Sequence, residues 1–174
     1  METKKATRKT KKSEKQVELL NLLENDARRG IKDLAEMLEE SENEIGSQMT
    51  ELEKQKVICG YHTLINWDKT SNERVTALIQ VSVTPQRGKG FDKIAERIYR
   101  FSEVRSVYLM SGGYDFTVIV EGSTMKEVAM FVGKRLAPLE SVTATATHFI
   151  LKKYKDYGTV LEPDEKGGRM AVTL

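Results

Sequence analysis

Apolar positions along the 174-residue chain follow two different rhythms, and the change between them divides the molecule. In the first third the spacing is helical. Val17, Leu19, Leu20, Leu22 and Leu23 form one stripe, which the stretch from Asp26 to Gly30 closes with two arginines and a glycine. Ile31, Leu34, Ala35 and Leu38 share one face of a second helix. Ser41 then stands as an N-cap, with Glu44 three residues later to complete a capping box. Ile45, Met49 and Leu52 repeat at i, i+4 and i+7. This third helix is expected to end near Lys56. The stretch VICGYHTLI, residues 57–65, has strand-prone flanks about Gly60. Three short helices and a hairpin predict a winged helix-turn-helix over residues 14–65, in preference to a plain three-helix bundle.

Residues 66–73, NWDKTSNE, read as a linker. Beyond them the period falls to two: Val75, Ala77, Ile79, Val81 and Val83 alternate as a strand with one buried face. A loop from Pro85 to Gly90 leads to a helix with Phe91, Ile94, Ala95 and Ile98 on one side. Residues 104–110 and 114–122 read as strands joined by the SGG turn. Thr124 to Leu136 reads as a helix with Met125, Val128, Ala129, Val132 and Leu136 as its stripe. Residues 142–151 form a fourth strand, and 154–174 a tail whose start can extend it. The order β-α-β-β-α-β over residues 74–153 predicts a ferredoxin-like sheet covered on one face by two helices, so the chain is of the α+β class. One face stays open, with some of Tyr108, Met110, Phe116, Val118 and Val120 pointing away from the helices. A second copy is its natural cover, which predicts a homodimer, with a monomer bearing a tolerated apolar patch as the alternative.

Composition narrows the class. No run of about eighteen apolar residues exists, so no membrane span is expected. The basic N-terminus lacks an apolar core behind it, which argues against a secretory signal and for a cytoplasmic protein. Cys59 is the single cysteine, and His62 and His148 have no second histidine at ligand spacing, so no metal or cofactor is expected. Cys59 reads as a small buried residue at the start of the wing. Net charge is only +2, but it is unevenly spread. Residues 1–15 hold seven basic and two acidic side chains, and residues 16–56 hold five basic and eleven acidic ones. Lys4, Lys5, Arg8, Lys9, Lys11 and Lys12 form a basic arm, residues 1–13, able to neutralise phosphates without selecting bases.

Two stretches carry candidate chemistry. Ser111, Gly112, Gly113, Tyr114 and Asp115 lie between two strands. Glycine amides there can approach a carboxylate, and Asp115 can meet an ammonium group or accept backbone hydrogen bonds, so the turn is either a site for a small zwitterion or a plain hairpin. Catalysis finds little support: Asp115 has no second carboxylate at motif spacing, Ser111 has no neighbouring base, and His148 stands alone in a strand.

These motifs in order, LLENDARRGIKDLAEMLEES, then Ile45, Met49 and Leu52, then VICGYHTLI and SGGYDFTVIVEG, resemble the Lrp/AsnC (feast/famine) family of transcription regulators across residues 14 to 152. The resemblance implies an N-terminal helix-turn-helix that binds double-stranded DNA and a C-terminal RAM domain. It also implies dimers assembled into tetramers, octamers or rings, and an amino-acid effector held near Gly112, Gly113 and Asp115. The third helix departs from the family's pattern. Gln48 stands where arginine is common, Glu51 where a base is common, and Glu40 where leucine is. Asn43, Ser47, Gln48 and Thr50 keep base-edge hydrogen-bonding groups, while Arg28, Arg29, Lys32, Lys54 and the arm supply cations around them. Two other readings stay open. One is a ligand-binding oligomer whose helix-turn-helix acts on another protein. The other is a sirohaem decarboxylase-like enzyme, for which His148 alone gives thin support.

Overall fold

The computed structural model describes residues 2–72, 74–84 and 90–161, with side chains from Glu14 onward. It contains two compact units, residues 1–63 and 64–174. The loop at 85–89 and the tail beyond Leu161 lie outside the described residues.

The first unit has three helices, α1 (Glu2–Asn25), α2 (Ile31–Leu38) and α3 (Glu42–Lys54). Leu19 and Leu23 of α1, Leu34, Ala35 and Leu38 of α2, and Ile45 and Leu52 of α3 make its core. These positions belong to the apolar stripes, but Val17 and Ile31, read in the same stripes, are exposed at the helix starts. Helix α1 begins fifteen residues before Val17, because the stretch expected as an arm continues it. That stretch has no apolar stripe to reveal a helix, although lysine, arginine and alanine are good helix formers. Helix α2 ends on Glu39 in the left-handed region, φ 52°, where glycine is usual. Lys15 sits on this end: its Nζ donates to the Leu38 carbonyl at 2.7 Å and pairs with Glu40 at 3.2 Å. A cation on the exposed carbonyls of a helix C-terminus offsets part of the cost of that turn.

Helix α3 starts as the sequence predicts. The Glu44 amide donates to Ser41 Oγ at 3.3 Å, and the Ser41 amide donates to Glu44 Oε2 at 3.1 Å. The expected wing hairpin does not form. Residues 57–65 belong to no strand, and the Val57 and Ile58 amides instead donate back to the Leu52 carbonyl. An isolated two-stranded hairpin is marginal in water, and the lone Gly60 supplies no two-residue turn signal. Ile58 is half-buried against the helices, and Tyr61 is held by a 2.9 Å hydrogen bond to Glu53. Cys59, expected to be buried, is exposed, since without a hairpin no second strand covers it.

In the second unit a single 3-10 turn (Trp67–Lys69) precedes β1 (Val75–Val83), α4 (Gly90–Tyr99), β2 (Val104–Leu109), β3 (Phe116–Gly122), α5 (Met125–Phe131) and β4 (Val142–Phe149). The sheet is antiparallel throughout, in the order β2-β3-β1-β4. Two further short strands, β5 (Lys155–Asp156) and β6 (Thr159–Val160), form a separate hairpin rather than extending β4. After Phe131 the helix widens into one π turn, Val132–Leu136, which keeps Val128, Val132 and Leu136 on the core in steps of four. Ala77, Ile79 and Val81 of β1 face the helices beside Phe116, Val118 and Val120 of β3. The last three are therefore core residues and do not belong to the open face. That face consists of Leu78, Gln80, Thr117, Ile119, Tyr108, Ala146 and His148, as the register and the strand alternation require.

Two outcomes follow for α3. Hydrogen bonds from the Ser41 hydroxyl and amide hold the Glu44 carboxyl below its ordinary value. A depressed carboxylate stabilises the fold above the unfolded pKa and loses that effect as pH falls through the folded one. Glu44→Ala is therefore expected to speed α3 amide exchange at pH 7, with the difference between parent and variant shrinking as pH falls through the lowered folded value. A difference that persists in acid would remove the carboxylate from the cap. At Gly46 an added Cβ would meet only Ile31 Cδ1, at 4.0 Å. Gly46→Ala is expected to stabilise the helix by about 1 kcal/mol, read from denaturant unfolding of the full chain.

Candidate nucleic-acid interface and ligand turn

Helix α3 presents two polar sides that do different things. Asn43, Ser47, Thr50 and Lys54 recur at i, i+4, i+7 and i+11, all exposed, and line a shallow open surface together with Gly46 and Glu51. Thr50 Oγ1 donates back to the Gly46 carbonyl at 2.9 Å, so its hydroxyl is partly engaged. Gln48 lies off this row. It is half-buried, and its Nε2 donates to Glu40 Oε2 at 2.6 Å. This bond holds the helix against the α2–α3 turn.

The flanking cations divide in the same way. Arg28, Lys32 and Lys54 are exposed. Arg29 is half-buried, and its Nη1 lies 3.3 Å from Met37 Sδ. Lys15, counted with the basic stretch by charge alone, is spent on the end of α2. No spacing rule connects Lys15 to Leu38, because the two are 23 residues apart. The side chains of Lys4, Lys5, Arg8, Lys9, Lys11 and Lys12 lie outside the described residues. Acidic Glu42 and Glu44 occupy the first turn of α3, where they favour the helix but oppose a phosphate at that end.

The turn of the second unit sits where β2 leads into β3. Ser111, Gly112 and Gly113 are exposed, and Gly112 adopts φ +155°, a backbone that other residues rarely take. A Cβ built on either glycine meets nothing within 4 Å, so the space on that side of the turn is open. Tyr114 is half-buried with its hydroxyl 3.1 Å from Thr117 Oγ1. Asp115 is tied to the sheet from both ends. Its amide donates to the Val81 carbonyl at 3.1 Å, and its Oδ2 accepts the Val83 amide at 2.8 Å. That carboxylate occupies the point where the β1–β4 pairing shifts register, between Ser82 and Val83. Of the two roles open to Asp115 from sequence, the backbone acceptor is present.

Among the described residues no group of three or more His, Cys, Asp or Glu side chains is placed to hold a metal ion. His148 is exposed on the open sheet face, beside Leu78 in the register. No described helix is long and apolar enough to cross a membrane.

Comparison with known proteins gives this arrangement its context. Residues 76–160 match the Lrp/AsnC ligand binding domain. The chain is 48% identical over 164 residues to an uncharacterized HTH-type transcriptional regulator, YugG, of Bacillus subtilis, covering 94% of this chain and 99% of the relative. It is 26% identical to the HTH-type transcriptional regulator LrpA of Pyrococcus abyssi, over 79% of this chain and 94% of the other. Among solved structures, the fold superposes on an AsnC family transcriptional regulator of Agrobacterium tumefaciens with a TM-score of 0.65 at 21% identity, covering 86% and 94% of the two chains. It also superposes on a transcriptional regulator of Neisseria meningitidis, solved with L-Met, with a TM-score of 0.66 at 20% identity, covering 82% and 91%. A helix-turn-helix unit followed by a βαββαβ unit, with similarity to a regulator over almost the whole of both chains, places the chain in the Lrp/AsnC family of helix-turn-helix transcriptional regulators.

Proposed function

We propose that the protein is a DNA-binding transcriptional regulator whose second unit senses an amino acid. The observation that carries the reading is the exposed row Asn43, Ser47, Thr50 and Lys54 on a capped α3, in a chain similar to a regulator from end to end. Asn43 and Ser47 are the base-edge contacts in this reading, and Thr50 adds a methyl group suited to thymine. Arg28, Lys32, Lys54 and the cations of residues 4–12 are the phosphate contacts, which set position and affinity rather than sequence. Gln48, bonded to Glu40, supports α3 in this reading instead of reading DNA, and Arg29 lies against Met37 of α2.

In the second unit the exposed Gly112 and Gly113 amides suit a carboxylate. Asp115 holds the turn on the sheet and is the acidic side chain that meets an ammonium group in this reading. The neisserial regulator was solved with L-Met, which supports an amino acid as the class of ligand. A homodimer forms in this reading by packing the open faces, with Leu78, Ile119, Tyr108 and Ala146 at its centre, and tetramers or octamers follow from dimers. Two copies of α3 on one duplex double each weak contact.

The test is selection of bound fragments from the organism's genomic DNA by the purified protein, with and without a panel of amino acids. Recovery of a shared sequence, altered by one amino acid, is expected. Uniform recovery at low salt with every amino acid favours the alternative, a ligand-binding oligomer acting on another protein. Deleting residues 1–12 is expected to weaken binding and flatten its salt dependence, by about 0.9 in log–log slope for each phosphate that the arm neutralises. An unchanged slope would exclude those cations from the interface.

A further inference from the structure

A cleft in the second unit lies at one end of the open sheet face, where Thr76 and Glu121 alternate onto the side of Leu78 and Ile119, and it takes part in neither the α3 row nor the glycine turn. Its volume is about 90 Å³, well above the roughly 10–15 Å³ that admits one water. Asn66 and Trp67 of the linker line it with Arg74, Thr76, Glu121 and Lys153. It lies where β1 begins and β3 ends, since Val75 pairs with Gly122. The glycine turn lies at the other end of the same pair, beside Val81 and Phe116, about 20 Å away along six residues of strand.

The geometry of Arg74 sets the chemistry. Its guanidinium carbon is 3.6 Å from the centroid of the Trp67 ring. Stacking fixes the plane of the guanidinium, and its N–H donors lie in that plane, directed at whatever meets its edge. Glu121 meets it at 3.5 Å, long for a charge-assisted bond. The same Glu121 oxygen accepts from Arg105 Nε at 2.9 Å, so its closer partner is Arg105. A pre-oriented guanidinium is thus held loosely by a carboxylate whose stronger bond lies elsewhere. Lys152 and Lys153 also line the cleft with Asp68 and Glu121, and Lys153 pairs with Asp156 at 3.6 Å, so Arg74 is the cation that the argument rests on.

We propose that this cleft binds a small carboxylate of a few carbons, paired bidentately with Arg74 and lying against Trp67. The ligand would take the fork that Glu121 holds weakly, leaving Glu121 to Arg105. Because Asn66 and Trp67 form one wall, a bound carboxylate touches the linker, which gives the second unit a ligand input separate from the glycine turn.

Trp67 is the single tryptophan of the chain, so its emission reports on the cleft directly. Full-length protein is titrated with sodium acetate and with sodium succinate, against sodium chloride at matched ionic strength. A saturable change with at least one carboxylate and none with chloride is expected. Arg74→Lys keeps the charge but loses the fork, and is expected to weaken binding about tenfold or more. Glu121→Gln removes the competing anion and is expected to tighten binding severalfold, a gain that damage to the fold cannot mimic. Gly113→Val, at the other end of the strands, leaves the constant unchanged. The proposal is overturned by a response equal to that in chloride, by no saturation, or by Glu121→Gln weakening the binding.

Discussion

Glu40 joins the three helices of the first unit at one carboxylate. Lys15 of α1 reaches one of its oxygens at 3.2 Å, and Gln48 of α3 donates to the other at 2.6 Å. The same lysine closes the end of α2 through the Leu38 carbonyl. Everything proposed for α3 depends on this junction, because a helix-turn-helix works only if the second helix is held at a set angle to the first. The apolar core beneath supplies most of the stabilisation, but leucines and isoleucines tolerate sliding. A directed, charge-assisted contact does not, so the polar junction selects one arrangement among those the core permits.

The junction also explains why α3 is poor in cations. A helix whose inner polar side is committed to Glu40 needs a neutral donor there, and glutamine satisfies the carboxylate beside Lys15 without adding a second charge. The acidic residues of its first turn complete the capping box and complement the helix dipole. What remains for a partner is the outer row, small and neutral except for Lys54. In the proposed reading such a row fits close to base edges but carries little attraction of its own, and apart from Lys54 the phosphate contacts fall to residues outside the helix.

In the second unit the same carboxylate logic appears at Asp115. The pairing of β1 with β3 ends at Val81 and Phe116, and the next β1 amide on that side, Val83, donates to the Asp115 carboxylate instead of a ladder carbonyl. The glycine turn is thereby anchored at its base while its tip stays open. Rigid support beneath an exposed turn suits the proposed ligand role, since ordering the turn on binding would cost affinity.

The apolar periods were enough to read the two units, the element order, the capping box and the core positions of α1 to α3, because burial of one face imposes a spacing on any sequence that forms it. Gly112, Gly113 and Asp115 were legible as a turn for the same local reason. Spacing could not assign Phe116, Val118 and Val120 to the helix side, since alternation separates two faces without saying which one α4 and α5 cover. Nor could it show that residues 57–65 fail to pair, or that α1 starts at Glu2. The uses of Lys15, Arg29, Gln48 and Arg74 were hidden altogether. Each depends on a charged or amide side chain meeting a group elsewhere in the chain, and only the packed chain determines whether such a group faces solvent, a partner, or another part of itself.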